Sequence, residues 1–373
     1  MSANPKPTGK YAVGTKTFTA DEVRDEVLCP GTKRRIAARV YYPVTKESVK
    51  GLKKSMYMSR DMFRGLKNIF NIPLNYDKET AAGNNVSECY KDAPQIAGEK
   101  FPLIIFNHGY QSFREGNSHL CLELASQGYV VMSVSHPLES LCTEYDNGTA
   151  VMGDKKFLKM ANKPLIRNII ELNRLMNMKG TDEELTKAID KYQEKYGSFM
   201  INRIPEWEKD IYAALDYAKQ NLSSMIDFDK GIGLTGHSFG GAMAYYLCMK
   251  DPQFKCGANI DGMLYGLYKD QIMDKPFMMI ECASHKTLAA RVCCKHSAPA
   301  YKVVFRDMKH MGFSDMKHAM PKFMSGMMGK LDADLMHENL CKCHVAFFDA
   351  HLKGINKAVE VTSNDAIKFK MYK

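Results

Sequence analysis

The sequence lacks the features that would connect it to a membrane span, a nucleotide or a nucleic acid. It contains no uninterrupted apolar run of the about 18 residues that a membrane-spanning helix needs. It has neither a glycine-rich dinucleotide fingerprint nor a phosphate-binding loop motif, so we expect no nucleotide site. Its basic residues are scattered, without a recognition motif or a stacking platform, and we expect no nucleic-acid partner.

The sequence also lacks the start of a secretory signal and an even set of cysteines. Residues 1–10 are polar and include two prolines, instead of a basic start followed by an apolar run. The eleven cysteines are an odd number, and Cys293 and Cys294 are adjacent, which argues against a disulfide framework. We therefore expect reduced thiols and a cytoplasmic protein.

What is present is the composition of an ordinary globular protein, with 45% hydrophobic and 25% charged residues. A chain of 373 residues can bury a large core, and we predict one domain over residues 1–373. The net charge of +10 permits peripheral contact with anionic membranes, although scattered basic residues favour a solvated surface. Nothing in the pattern indicates an oligomeric state.

Short apolar runs predict strands that are buried on both faces of a parallel sheet. They occupy residues 102–106, 129–135, 231–235, 257–260, 276–280 and 301–305. Helical segments lie between them, and residues 35–43 alternate like an antiparallel strand. This alternation predicts an α/β protein with a mainly parallel central sheet flanked by helices.

Residues 141–203 interrupt this rhythm with more helix than a crossover needs. We expect one helix over about 165–178 and a second that begins at Thr181, where Glu184 completes a capping box. We interpret the segment as a helical cap insertion over the active site, with plain packing as the alternative. A third helix, over 205–220 with a proline in its first turn, is expected to pack on the sheet.

The motif that carries chemistry is Gly-His-Ser-Phe-Gly at residues 236–240, between an apolar strand and a helical segment. A nucleophilic serine on such a strand-to-helix turn adopts a strained backbone, and the flanking glycines prevent clashes. The helix amino terminus then points at the developing oxyanion. We predict that Ser238 is a catalytic nucleophile, with a tight turn around an unreactive serine as the alternative.

A tetrahedral intermediate also needs two backbone N–H donors. In this type of fold one comes from the residue after the nucleophile, here Phe239, and the other from a loop after an earlier strand. The Asn-His-Gly-Tyr turn after residues 102–106 makes Tyr110 the candidate for the second donor. We expect His108 to shape that loop rather than to transfer protons.

The general base should be a histidine that follows the serine and the acid in the chain. His310 lies in a loop just past the apolar run 301–305 and is our candidate. His285 precedes that run, and we expect His318 within the helix that follows the loop. The remaining late candidates fall at spacings of seven in a terminal amphipathic helix, which indicates a surface or packing stripe: His337, His344 and His351.

Two carboxylates sit at strand ends where the orienting acid belongs. Asp261 ends the run GANID, and Glu281 ends PFMMIE. The acid orients the imidazole and stabilises its positive charge. Position along the chain alone does not separate the two.

Several segments together resemble the platelet-activating factor acetylhydrolase family, which are calcium-independent phospholipase A2-like enzymes of the α/β-hydrolase fold. The segments are PLIIFNHGYQSFR, LASQGYVVMSVSH, GLTGHSFGGA, NIDGMLYG and the His310 loop. The resemblance implies Asp261 as the acid and Tyr110 and Phe239 as the oxyanion donors. Tyr110 stands where the family usually has leucine, and residues 1–100 and the cap match poorly, apart from the strand that ends YYP. The family acts on phospholipid esters with short or oxidised acyl groups.

We therefore predict a serine carboxylic-ester hydrolase acting on short-acyl or lipid esters through Ser238, His310 and Asp261. A general carboxylesterase, an acyltransferase and a non-catalytic ligand-binding protein of the same fold are the alternatives. We expect no cofactor and no metal: Cys341-Lys342-Cys343-His344 has no second ligand pair at zinc-finger spacing. The five methionines between Met316 and Met328 suit core packing or, as a hypothesis, an acyl pocket shared with the cap.

Overall fold

A computed structural model describes residues 4–72, 74–285, 287–319, 325–355 and 358–373. The chain falls into two compact units. The first comprises Met1–Leu158 and Lys209–Asp229, and the second comprises Lys159–Glu208 and Lys230–Lys373. A single domain over residues 1–373 and a cap over residues 141–203 stay predictions.

Six strands form the sheet of the first unit. They are β1 (Ala12–Asp25), β2 (Lys33–Val44), β3 (Lys54–Met56), β4 (Val86–Lys91), β5 (Leu103–Asn107) and β6 (Val130–Val134), in the spatial order β5-β6-β2-β1-β4-β3. β5 is parallel to β6, and β2 is antiparallel to both β6 and β1. Every residue of β5 and β6 is buried, as their apolar runs predict. A separate hairpin of β7 (Cys142–Glu144) and β8 (Ala150–Met152) belongs to the same unit.

Five strands form the sheet of the second unit and position the candidate site. They are β9 (Ile232–His237), β10 (Phe254–Ile260), β11 (Phe277–Cys282), β12 (Ala300–Phe305) and β13 (Ile367–Tyr372). The strands β9 to β12 are parallel in chain order, and β13 closes the edge antiparallel to β12. Because parallel strands end at a common edge, the loops that follow β9, β10, β11 and β12 meet there.

Helices connect and flank these strands. In the first half of the chain they are α1 (Arg60–Phe70), α2 (Tyr76–Ala81), α3 (Ser118–Ser126), α4 (Lys155–Arg167) and α5 (Ile169–Met176). The second half contributes α6 (Asp182–Tyr196), α7 (Ser198–Asn221), α8 (Phe239–Lys250), α9 (Ala290–Cys294), α10 (Met316–Ala319), α11 (Ser325–Met328) and α12 (Ala333–Phe348). Across the described part of the chain, no helix is both long and apolar enough to cross a membrane.

The helices of the 141–203 segment differ in part from the sequence prediction. The helix predicted over 165–178 is two helices, α4 and α5, separated at Asn168. The helix predicted from Thr181 is confirmed as α6, and the reciprocal bonds of Thr181 and Glu184 form its capping box. The third helix begins at Ser198, so Pro205 lies inside it instead of in its first turn. Proline has no backbone N–H, so one hydrogen bond of the helix is missing at Pro205. The other backbone hydrogen bonds of this 24-residue helix keep it continuous.

Candidate active site

Ser238 occupies a sharp turn between β9 and α8. Its backbone has φ 55° and ψ −119°, a conformation outside the φ/ψ regions that residues other than glycine favour. The turn is fixed because the Ser238 N–H donates to the Ile260 carbonyl at 2.8 Å. The Ser238 carbonyl in turn accepts from Gly241 at 3.0 Å and from Ala242 at 3.1 Å. The serine side chain is thus held at the amino end of α8.

Glycine is required around this turn because other parts of the chain pass close to it. A Cβ at Gly241 would overlap the Asn259 side chain, and a Cβ at Gly262 would overlap the Ser238 carbonyl oxygen. Asn259 also holds the Gly262 backbone in place, accepting its N–H at 2.7 Å and donating to its carbonyl at 3.0 Å. These contacts join the turn after β9 to the loop after β10.

His310 contacts Ser238 from the loop that follows β12. Its Nε2 lies 3.0 Å from Ser238 Oγ, and its Nδ1 lies 2.8 Å from Asp261 Oδ2. A carboxylate without a proton can only accept, so His310 Nδ1 carries the proton and Nε2 is free to accept one from the serine. The structure therefore brings together the three predicted residues in the order serine, imidazole, carboxylate.

The Asp261 carboxylate is buried and fully hydrogen-bonded. Its Oδ1 accepts the Cys282 N–H at 2.8 Å, while Oδ2 faces His310 and also His285 Nδ1 at 2.9 Å. Burial on its own would raise the pKa of Asp261, but the bonds to the two histidines outweigh it and hold that pKa well below its usual range. The acid is therefore an anion at any pH near neutrality.

His285 is the residue of the site that sequence reasoning missed. It lies in the turn after β11, with its side chain one quarter exposed. Burial lowers the pKa of His285, but the stronger combined effect of Asp261 and Cys282 raises it to about 10. Only its position between two apolar strand runs was visible in the sequence, and that position gave no indication of a contact with Asp261.

Glu281, the alternative acid, is bound elsewhere. Its Oε1 lies 2.9 Å from Lys302 Nζ, and its Oε2 accepts the Ala289 N–H at 3.0 Å. The side chain is almost completely buried, and burial raises the pKa of Glu281 to about 7. These contacts give Glu281 a structural role between β11, β12 and the start of α9.

The two predicted oxyanion donors lie in different units. Phe239 is the first residue of α8, so its N–H belongs to the helix amino end, and its ring packs edge-on against Trp207 with centroids 4.7 Å apart. Tyr110 lies in the turn after β5 in the first unit. Its preceding peptide is oriented by His108, whose Nδ1 donates to the Gly109 carbonyl at 2.8 Å. Burial lowers the pKa of His108 to about 3, so the ring is neutral and has a shaping role.

The turn that contains Tyr110 is attached to a buried ion network of the first unit. Arg34 bonds Glu26 at 2.8 Å, Glu139 at 2.9 Å and Asp210 Oδ1 at 2.9 Å. The Glu139 carbonyl accepts the Gln111 N–H at 2.9 Å, which ties the turn to the network. The sequence gave no indication of this network, because its members come from three distant segments: residues 26–34, residue 139 and residue 210.

Part of the predicted cap contacts the loop after β10. The Gln193 side chain of α6 donates to the Leu264 carbonyl and accepts the Gly266 N–H, both at 2.9 Å. In the same loop, the Tyr265 ring packs against Phe239 with centroids 5.8 Å apart. An apolar cleft lies between this loop, α6 and the start of α7, lined by Ala161, Tyr192, Tyr196, Phe199, Met200 and Tyr265.

The other predicted histidines and thiols have partners away from Ser238. His344 Nε2 accepts the Thr235 hydroxyl at 3.1 Å, His318 contacts Asp334 at 3.1 Å, and His351 contacts Tyr301 at 2.8 Å. Cys341 faces His337 within α12 at 3.5 Å. Among the methionines of the 316–328 segment, Met316 and Met328 are buried and Met327 is exposed, whereas Met320 and Met324 lie outside the described residues.

One group of side chains has metal-ligand spacing in the described ranges. It consists of Asp261, His285 and His310, whose ligand atoms lie within 4.8 Å of one another. In the present arrangement both Nδ1 atoms point at the same carboxylate oxygen and donate protons to it. A metal ion would have to replace those two protons.

Comparison with known proteins places the chain in a family. A family model described as platelet-activating factor acetylhydrolase, isoform II, matches residues 2–367. The chain is 25% identical over 379 residues to a platelet-activating factor acetylhydrolase of Canis lupus familiaris, covering 96% of this chain and 79% of the relative. The corresponding protein of Bos taurus is 24% identical over 374 residues, with 96% and 79% covered.

A solved structure gives the fold. The ferulic acid esterase from Streptomyces cinnamoneus superposes with a TM-score of 0.66 at 18% identity, covering 99% of both chains. The predicted α/β-hydrolase fold, with a mainly parallel sheet and flanking helices, is confirmed.

Proposed function

The chain belongs to the platelet-activating factor acetylhydrolase isoform II family, and from that membership we propose that it hydrolyses short-acyl or lipid esters through an acyl-enzyme on Ser238. Membership confirms the family resemblance and the enzyme class predicted from the sequence, a carboxylic-ester hydrolase. The observation that carries the proposal is the 3.0 Å contact between His310 Nε2 and Ser238 Oγ at a strained turn.

In the acylation step His310 Nε2 takes the Ser238 proton as Oγ attacks the ester carbonyl carbon. The carbonyl π electrons move onto oxygen, and the Asp261 carboxylate stabilises the imidazolium that forms. The intermediate then collapses, the bond to the alcohol oxygen breaks, and His310 returns its proton to that oxygen. Acyl-Ser238 and a free alcohol result.

Deacylation repeats these steps with water. His310 takes one water proton, the hydroxide oxygen attacks the acyl carbon, and the proton passes to Ser238 Oγ as the ester bond breaks. In both steps the proposed oxyanion donors are the N–H groups of Phe239 and Tyr110. Loss of one such donor costs about 10²–10³ in kcat in other serine hydrolases. No step needs a metal or an organic cofactor.

The substrate class is proposed from the family, whose relatives are named for hydrolysis of an acetyl ester of a phospholipid. Tyr265 packs on Phe239, the residue that follows the nucleophile, so an apolar aromatic ring lies beside the turn, as an uncharged acyl group would require.

The test combines labelling with a substrate series. Wild-type protein should react covalently with a fluorophosphonate probe, and Ser238→Ala should neither label nor turn over while its melting temperature stays near that of wild type. Wild-type protein that remains unlabelled would instead support a non-catalytic, ligand-binding protein.

A panel of acetyl to decanoyl esters, with and without a phosphocholine head group, separates the hydrolase alternatives. We expect the highest kcat/KM for phosphocholine esters that carry short acyl chains. Equal rates on simple esters without that head group would favour a general carboxylesterase. Transfer of the acyl group to an added alcohol in preference to water would favour an acyltransferase.

A further inference from the structure

Asp261 is shared by two imidazoles, an arrangement that a serine, histidine and aspartate site does not need. His310 Nδ1 and His285 Nδ1 lie 2.8 Å and 2.9 Å from the same oxygen, Asp261 Oδ2. Since a carboxylate only accepts, both rings carry a proton on Nδ1. The ring centroids of His285 and His310 are 5.9 Å apart.

We propose that His285 is a positioning residue of the hydrolysis, which holds the Asp261 carboxylate with a second imidazole N–H donor and places that ring beside His310, where a charge on it acts on the reaction. The proposal deepens the function proposed above and rests on it. His285 itself touches neither the serine nor the reacting atoms in this scheme.

The positioning part follows from the contacts of the carboxylate. Four donors fix its rotation: the Cys282 N–H on Oδ1, and the two imidazoles and the Cys282 thiol on Oδ2. Asp261 has a positive φ of 55°, which is unusual for a residue other than glycine, and its N–H is held by the Ile280 carbonyl at 2.6 Å. A carboxylate held by three donors besides His310 keeps the His310 ring aimed at the serine.

The charge part follows from the surroundings of His285. It faces one buried anion, Asp261, and the last residue of β11 adds the thiol of Cys282, which lies 3.6 Å from Asp261 Oδ2. This environment raises the pKa of His285 to about 10, so the ring is an imidazolium at neutral pH. One carboxylate therefore faces one cation before the reaction and two when His310 accepts the serine proton.

Among the groups that face His310, the ring of His310 itself is the one whose charge changes during the reaction. His237 donates from Nε2 to the His310 carbonyl at 3.0 Å, and burial lowers the pKa of His237 to about 3, so it is neutral. Asp261 is the anion and His285 the cation that face the His310 ring, and Ser238 faces it as a neutral hydroxyl. Like charges repel, so a positive charge at His285 acts against the positive charge that His310 gains when it takes the serine proton.

Two variants separate the charge of His285 from its hydrogen bond. His285→Asn keeps an N–H donor near the position of Nδ1 but removes the charge, and His285→Leu removes both. With His285→Asn we expect the acid limb of the kcat/KM profile to move up by about 0.5 to 2 pH units. This range follows from Coulomb's law for two charges 5.9 Å apart, the distance between the ring centroids of His285 and His310, at an effective dielectric constant of about 80 to 20. The plateau kcat should stay within a few-fold of wild type.

With His285→Leu the same shift should be accompanied by an about tenfold or larger loss of plateau kcat, because Asp261 loses a donor to a charged group. His296→Asn is the matched control: His296 is half-buried in the same unit, and its Nδ1 bonds the Ala298 carbonyl at 2.9 Å. It should leave the acid limb in place. An acid limb that is the same in wild type and His285→Asn would overturn the proposal.

A second measurement needs neither folded variants of His285 nor turnover. In ¹⁵N-histidine NMR spectra of wild type and of Ser238→Ala, His285 should carry protons on both ring nitrogens from pH 6 to pH 8. A neutral His285 at pH 7 would overturn the proposal even if the enzyme is active. If Ser238→Ala still hydrolyses esters, the proposed function fails instead, and the NMR result on His285 stands separately.

Discussion

Asp261 and Glu281 follow paired residues of adjacent parallel strands, yet their carboxylates point to different partners. Ile260 of β10 pairs with Ile280 of β11, and each acid is the next residue. Asp261 Oδ2 lies 2.8 Å from His310 Nδ1, whereas Glu281 is bound by Lys302 at 2.9 Å. Strand position alone did not tell which of Asp261 and Glu281 is the acid, and substitution of each one tests the assignment.

We expect Asp261→Asn to lower kcat by about 10⁴, as an amide at this position disfavours the productive imidazole tautomer in other serine hydrolases. Glu281→Gln should keep kcat within a few-fold of wild type, because its contacts are with Lys302 and the Ala289 N–H. Steady-state kinetics on one activated ester measures both. The reverse ranking of the two variants would make Glu281 the acid.

Gly262 should be intolerant of any side chain. A Cβ there would overlap the carbonyl oxygen of Ser238, the residue that must keep its strained turn. We expect Gly262→Ala to lower kcat/KM by at least two orders of magnitude and to destabilise the fold by about 1–3 kcal/mol, the usual cost of overpacking. Activity assays and urea unfolding check the two parts.

Gly326→Ala is the control for that substitution. No described heavy atom lies within 4 Å of the Cβ that it would add, and Gly326 lies in α11. Its activity and stability should match those of wild type. A Gly262→Ala protein with normal activity would mean that the turn at Ser238 can relax without loss of function.

The local elements of this fold were predictable because their signals are local. The apolar runs become β5, β6 and β9 to β12, and the capping box at Thr181 starts α6 as expected. The strand-to-helix turn at Ser238 was also predictable, because an apolar run precedes the serine, a helical segment follows it, and glycines stand on both sides. β1 and β13 were missed, because threonines and lysines interrupt their sequences and leave no continuous apolar run.

The missed contacts depend on how distant segments meet. His285 meets Asp261 only because β10 and β11 pair in one particular register and the turn after β11 folds back. Pro205 indicated a helix start, but the residues before it are helical too and extend α7 back to Ser198. A pattern along the chain carries no information about which turn of which loop approaches a given carboxylate.

Arg34 should be one of the most important single side chains for stability. It is completely buried and bonds three carboxylates, those of Glu26, Glu139 and Asp210. Arg34→Met would leave these anions without their main cation, and we expect a loss of about 3–5 kcal/mol in the free energy of unfolding. Urea unfolding monitored by circular dichroism measures the loss.

The matching control is Arg60→Met, which removes an exposed pair with Asp77 at 2.7 Å. Exposed pairs are screened by water, so its unfolding midpoint should equal that of wild type. Since Glu139 also holds the turn that contains Tyr110, Arg34→Met should lower kcat in the folded protein as well. Equal stability of the two variants would contradict the importance of the buried network.

Glu281 should make the stability of the fold decrease as the pH rises. Burial raises its pKa to about 7 in the folded protein, while the unfolded chain has the ordinary value of about 4.3. Between these values the folded protein binds more protons than the unfolded chain, so the contribution of Glu281 falls from about pH 4.3 and is lost above pH 7. The size of the effect is a few kcal/mol at most.

Glu281→Gln, which cannot ionise, should therefore gain stability relative to wild type between pH 5 and pH 8, as urea unfolding at unit pH steps would reveal. A difference in unfolding free energy that is constant over this range would mean that Lys302 keeps the carboxylate ionised throughout.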